Sequence, residues 1–400
     1  MGNILDYIKW RGDLEFDKDE FNSIDALILS QFSYLNLEDI VPESFSKKIK
    51  LKEALNIFLD LSYQKKRLET GLLISDEILS MFNEMGKSKR FSDIKLCGYV
   101  NLIDKEEEKQ FSAVTSMLND GSNIVIFRGT DDTLVGWKED FNMSFLDHVP
   151  SQSAAVEYLT KAGECLEGSL RVAGHSKGGN LAIYSSAYCS EEIRKRIICI
   201  YNNDGPGFSQ EFLSKKSYKD IYKKIYSYVP QSSVVGMMFS YHREFNVVQS
   251  RQFGLFQHNP FNWQVLGNKF VLCDKITDSS EFADNTLRDW ILKMDNAQKE
   301  KFVDALFEIL DSTDAKTLTE LKSDGIKNSG LILKNISALD DETKEILIKT
   351  AQLLIKSAKE NLVSNKSSKP AAKKRINIIT SKIPLPKGKK YIIIKEKKEN

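Results

Sequence analysis

The chain is predicted to fold as an α/β domain on a mostly parallel, doubly wound sheet, followed by a C-terminal helical appendage and a basic tail. Three observations predict this. Short apolar runs alternate with amphipathic segments through the first 275 residues. One run, Leu170-Arg171-Val172-Ala173, passes through a glycine-framed turn directly into an amphipathic segment. At 400 residues, 41% hydrophobic and a formal net charge of +1, the chain is long enough for one such core with further segments attached.

From the N-terminus, residues 25–35, 51–61 and 73–85 carry apolar side chains at helical spacing and are expected to cover the sheet. Residues 94–103 and 110–117, joined by the charged turn Asp104-Lys105-Glu106-Glu107-Glu108-Lys109, form an antiparallel hairpin at the sheet edge. Asn119-Asp120-Gly121 turns into the strand that ends at Phe127-Arg128. Residues 154–166 are amphipathic, with Val156, Leu159, Gly163 and Leu166 on one face. Residues 196–203 read as a buried parallel strand, 224–230 as the next, and Phe245-Asn246-Val247-Val248 is a further apolar run. Beyond about residue 275 the strand signals largely stop, and 280–294, 298–310 and 341–362 read as helices. The expected organisation is therefore an α/β domain at 1–275, a helical appendage at 276–362 and a basic tail at 363–400. Such an appendage covers a sheet face, caps a site mouth or mediates self-association.

The segment Gly174-His175-Ser176-Lys177-Gly178-Gly179-Asn180 has the pattern of a nucleophile elbow. A strand-to-helix turn this tight leaves no room for side chains at Gly174 and Gly178, and it projects the Ser176 hydroxyl. A serine needs a base, a carboxylate to orient that base, and amide donors for the oxyanion. Only His242 and His258 lie downstream of Ser176, and His258, in the loop Gly254-Leu255-Phe256-Gln257-His258-Asn259-Pro260, is the candidate base. Asp204, in the turn Asp204-Gly205-Pro206-Gly207-Phe208 at the end of strand 196–203, is the candidate acid. The corresponding turn one strand later reads Gln231-Ser232-Ser233 and holds no carboxylate. The backbone N–H of Lys177 and a donor from Gly129 or Thr130 are the candidate oxyanion hole. Trp137, Phe141, Met237, Met238, Phe239, Leu255, Phe256, Phe261 and Trp263 are candidates for an apolar cleft or for ordinary core. His175 and Arg128 read as structural hydrogen-bonding residues.

These blocks carry a resemblance. Phe127-Arg128-Gly129-Thr130, Gly136-Trp137-Lys138-Glu139-Asp140 and the Ser176 elbow resemble the corresponding blocks of class 3 lipases. Together with Gln257-His258-Asn259-Pro260-Phe261-Asn262-Trp263, they most closely resemble a bacterial domain-of-unknown-function family of lipase-like α/β-hydrolases. The Asp204 turn is similar to the segment carrying the catalytic aspartate in pancreatic-type lipases. The resemblance, over roughly residues 20 to 270, implies an α/β-hydrolase fold and a Ser/His/Asp esterase mechanism acting on acyl-lipid or similar apolar acyl esters. Two positions depart from class 3 lipases: Lys177 stands where a leucine is usual, and Ser232-Ser233 where the acid is expected. Acyl transfer and non-catalytic binding at a membrane or protein partner are the alternative functions.

No metal or organic cofactor is called for by this chemistry. The five cysteines are scattered without metal-type spacing, and they suggest reduced thiols in a cytoplasmic protein. The N-terminal residues lack a secretory pattern, and no apolar run reaches membrane-span length. From Val363 onward there are twelve Lys/Arg against two Glu, a net +10, so the remainder carries −9. Interleaved with isoleucines, this tail is either a solubilising extension or a contact for an anionic membrane surface or nucleic acid, the membrane contact placing the protein at the inner membrane face. Specific nucleic-acid binding is not expected.

Overall fold

The computed structural model describes residues 2–61, 77–131, 133–143, 145–237, 244–252, 254–313, 315–317, 320, 336 and 339–367. His242, Met238, Phe239, the start of the expected helix 73–85 and nearly all of the basic tail lie outside the described residues. Residues Met1–Ala358 form one compact unit and Lys359–Asn400 a second.

A nine-stranded mixed sheet organises the first unit. Its strands are β1 (Ile49–Lys50), β2 (Lys95–Asp104), β3 (Lys109–Met117), β4 (Asn123–Phe127), β5 (Leu170–His175), β6 (Ile197–Asn203), β7 (Ile225–Pro230), β8 (Asn246–Val248) and, after a small hairpin of β9 (Val265–Leu266) and β10 (Lys269–Phe270), β11 (Leu272–Cys273). They lie in the order β1-β2-β3-β4-β5-β6-β7-β8-β11. β4 through β8 are parallel, whereas β1 through β4 and the β8–β11 pair are antiparallel.

The expected mostly parallel, doubly wound sheet differs here in two respects. Antiparallel pairings are as numerous as parallel ones, because the β2–β3 hairpin pairs along its length and hands on directly to β4. The parallel strands also follow one another in chain order, so right-handed crossovers place their helices on one face. On that face α7 (Pro150–Cys165) and α8 (Lys177–Tyr188) bury Leu159, Ala162, Leu181 and Ile183 against Val125, Phe127, Val172 and Ile200. The opposite face, presenting Ile124, Ile126, Ala173 and Tyr201, is covered by N-terminal helices, including α1 (Ile4–Arg11), α2 (Ser23–Phe32), α3 (Leu51–Leu61) and α4 (Glu77–Lys87). Alternation along β4 between the two cores is the period-2 signature of a strand buried on both faces.

Two features of these layers position the site. Arg90, fully buried, donates from Nε and Nη2 to the two oxygens of Asp25 at 2.8 and 2.6 Å, and to the carbonyls of Leu14, Asp19 and Glu20. That pairing locks α2, whose end carries Gln31, with Tyr34 just beyond it. On the other side, α6 (Leu134–Asn142) is held by α13 (Asn296–Asp311): Leu134 packs with Val303 and Phe307, and Lys138 pairs with Asp304 at 2.8 Å. Among the described residues no helix is long and apolar enough to cross a membrane.

Candidate active site

Ser176 sits at the junction of β5 and α8 with φ 57° and ψ −134°, a backbone conformation that costs a non-glycine residue energy. The surroundings impose it. A Cβ on Gly174 would lie 2.1 Å from the Gly178 backbone, and one on Gly178 would lie 2.1 Å from the Phe127 carbonyl. Only glycine admits this approach of strand, turn and neighbouring strand. The Ser176 N–H is anchored by donation to the Asn203 carbonyl at 2.9 Å.

Asp204 leaves the end of β6 with φ 53° and is completely buried. Its Oδ2 accepts from His258 Nδ1 at 2.7 Å, and its Oδ1 accepts from the Ser233 hydroxyl at 2.5 Å and the Gly236 N–H at 3.1 Å. Because Nδ1 donates to the carboxylate, Nε2 of neutral His258 is its proton acceptor. The His258 loop is held from three directions. Gln257 accepts the Ser232 N–H on its side-chain oxygen at 2.7 Å and the Trp263 indole N–H on its carbonyl at 2.8 Å. His175 Nε2 donates to the His258 carbonyl at 2.9 Å, and a carbonyl cannot donate, so His175 Nδ1 is the acceptor of the Tyr34 hydroxyl at 3.1 Å. Burial, reinforced by the neighbouring His258, pushes the His175 pKa well below its ordinary 6.5 and keeps this support neutral.

The loop after β4 abuts the elbow. A Cβ on Gly129 would stand 2.5 Å from the His175 carbonyl and 2.9 Å from Ser176 Cβ. Lys177 is the first residue of α8, where a backbone N–H has no intrahelical acceptor. The Thr130 hydroxyl donates to Asp140 Oδ2 at 2.5 Å. Burial raises the Asp140 carboxyl to about 6, against the opposing pull of Lys177 and Thr130. The Lys177 side chain is wholly buried, and its Nζ donates to Glu139 Oε2 and the Gln110 carbonyl, both at 2.8 Å. Glu139 also accepts the N–H groups of Gln110 and Ser151, so its charge is fully partnered.

Ser176 and His258 line one cleft, together with Thr130, Lys177, Asp140 and Tyr34. Of the candidate apolar lining residues, Trp137 and Phe141 are in its wall. Phe261 and Trp263 belong to the core, and Phe256 is exposed. Sequence reasoning assigned no role to Asp140, Gln31, Tyr34, Ser233 or the Lys177 side chain. The adjacent acids Glu139-Asp140, in a segment that also supplies Trp137 and Phe141, were the available signal for α6. Among the described residues no group of three His, Cys, Asp or Glu side chains is arranged to hold a metal ion.

Residues 85–308 match the family model described as Mbeg1-like. The chain belongs to the Mbeg1-like family. All four sequence blocks, from Phe127-Arg128-Gly129-Thr130 to the His258 segment, fall inside the stretch this Mbeg1-like model covers. Among solved structures, M37 lipase is similar to this Mbeg1-like chain at 16% sequence identity and a TM-score of 0.34, over 54% of this chain and 70% of that one. No curated protein matches it.

Proposed function

We propose that this Mbeg1-like chain is a serine hydrolase of the α/β-hydrolase type that cleaves carboxylic esters of apolar acyl groups. The observation that carries the reading is the 2.7 Å hydrogen bond from His258 Nδ1 to buried Asp204, made beside a cleft that the conformationally strained Ser176 also lines. His258 Nε2 takes the Ser176 proton as Oγ attacks the ester carbonyl, and the carbonyl π electrons move onto the oxyanion. Backbone N–H groups of Lys177 and of Gly129 or Thr130 receive that oxyanion, each donor contributing about 3 kcal/mol in the transition state. Collapse of the tetrahedral intermediate breaks the bond to the alkoxy oxygen, which takes the proton from His258. Water, deprotonated by the same imidazole, then releases the acid and restores Ser176. Asp204 holds the imidazole tautomer and stabilises the imidazolium throughout.

Fluorophosphonate labelling with peptide mapping tests this reading. The expected result is label confined to Ser176, lost in Ser176→Ala and His258→Ala, and slowed by roughly four orders of magnitude in Asp204→Asn. A folded protein that takes no label overturns it.

A further inference from the structure

Trp137 and Phe141, two residues in the wall of the Ser176 cleft, also belong to a small apolar core separate from the two that sandwich the sheet. With Leu134 they recur at three- and four-residue spacing on α6 and so share one face of that helix. The side chains they meet, among them Val303, Leu306 and Phe307, lie on α13. Among the described residues, no apolar side chain of α6 belongs to either core of the sheet. The ties from α6 to the elbow and its neighbours are polar: Glu139 to Lys177 and to the N–H groups of Gln110 and Ser151, and Asp140 to Thr130. Hydrogen bonds and an ion pair thus fix the helix toward Ser176, and apolar packing on α13 fixes its aromatic face.

Phe307 makes the ring contact in that packing. It is 4% exposed, and its ring meets that of Phe141 nearly edge to face, with centroids 5.9 Å apart and 68° between the planes. Phe141 therefore lines the cleft with a close-packed ring behind it. A packed interior leaves no space for such a side chain to retreat into, so the wall yields to a longer ligand only if the ring behind it gives way. α13 is itself held to α6, because Asp304 pairs with Lys138 at 2.8 Å and the Leu134 N–H donates to the Lys316 carbonyl, just beyond α13, at 3.0 Å. Ser176, Asp204 and His258 lie outside this cluster, which separates the depth of the cleft from the chemistry at its mouth.

We propose that Phe307 limits the length of acyl chain this cleft accepts, as a positioning residue that acts through Phe141. The inference rests on the hydrolase reading for the word acyl, while the limit on chain length stands apart from turnover. With the Phe307 ring removed, Phe141 turns into the vacated space and the cleft deepens. Each further methylene taken from water then raises affinity about fourfold.

The test is calorimetric binding of unbranched methyl ketones, from methyl propyl to methyl nonyl ketone, to the full chain. These carry the carbonyl and the chain of an acyl ester without the bond that is cleaved. Wild-type affinity is expected to climb about fourfold per methylene and then level off. In Phe307→Ala the levelling should come about two carbons later, so that the longest ketones gain roughly tenfold while methyl propyl ketone changes less than about twofold. Phe307→Leu, which keeps most of the packing, should move it by about one carbon. Ile309→Ala truncates a buried side chain of the same helix outside this cluster, and it should leave the levelling where it is. Levelling at the same ketone in the wild type and both Phe307 variants, a wild-type affinity indifferent to chain length, or an equal displacement in Ile309→Ala overturns the inference. Because ketones are not cleaved, each of these failures is distinct from a failure of Ser176 to take fluorophosphonate.

Discussion

The Ser233 hydroxyl donates to Asp204 Oδ1 at 2.5 Å from the turn after β7. The ends of β6 and β7 thus converge on one carboxylate. Ser233→Ala leaves Oδ1 with the Gly236 N–H at 3.1 Å among its described partners. A lost hydrogen bond to a buried charged group costs about 1.5–3 kcal/mol. Chemical denaturation of Ser233→Ala is expected to show that loss, and its fluorophosphonate labelling should be slowed by roughly tenfold. An unchanged midpoint and labelling rate would mean that Ser233 contributes nothing to holding Asp204.

Lys177 and Glu139 make a second prediction, because each is the charge that neutralises the other in a site without solvent. Lys177→Met strands the Glu139 carboxylate, and the expected destabilisation is about 3–5 kcal/mol. The double variant Lys177→Met with Glu139→Gln removes both charges, and its single amide oxygen can still accept one of the two N–H groups, Gln110 or Ser151, that the two carboxylate oxygens accept in the wild type. It should recover part of that loss, and the difference, read as a double-mutant cycle by urea denaturation, measures the pair. Additive losses would show that the two side chains act independently.

Legibility in the sequence followed the range of the physics. The elbow was readable because its rule is local: Gly174 and Gly178 are needed by atoms within a few ångströms, and the spacing writes them down. Asp204 and His258 were readable as polar residues in turns at strand ends. The winding of the sheet was not, because an apolar run reports that a strand is buried and not which strand lies beside it. Lys177 opposed its own composition signal, since lysine is seldom buried without a partner, and that partner is 38 residues upstream. Ser233 stood out only as a place without a carboxylate, because a hydroxyl donor acquires its role only when β6 and β7 come together.

Asp140 and His175 make opposite contributions to the pH dependence of stability. The Asp140 carboxyl is raised from 3.8 to about 6 by burial. Between those values the native state binds the proton and the unfolded chain does not, so this stabilising contribution is complete below the lower value and is lost as pH rises through about 6. His175 is lowered below 6.5, so the unfolded chain binds the proton first and stability is lost as pH falls below that value. Denaturation midpoints across this range should therefore show the wild type losing its advantage over Asp140→Asn as pH rises, and its advantage over His175→Gln as pH falls. A pH-independent difference for either variant would remove that residue from the account.

The positive φ at Ser176 predicts that the serine at this position is a net cost to the fold. Holding a non-glycine residue in such a region costs of order 1–3 kcal/mol, and glycine escapes that strain while giving up roughly 0.5–1 kcal/mol to the entropy of the unfolded chain. Ser176→Ala keeps the Cβ and hence the strain, so it should match the wild type within about 0.5 kcal/mol. Ser176→Gly should be more stable than both by about 1 kcal/mol, with neither variant taking the fluorophosphonate label. The comparison of Gly with Ala isolates backbone strain from loss of the hydroxyl. Equal stability of the two would mean that the neighbouring glycines, by clearing space around the turn, already leave Ser176 relaxed.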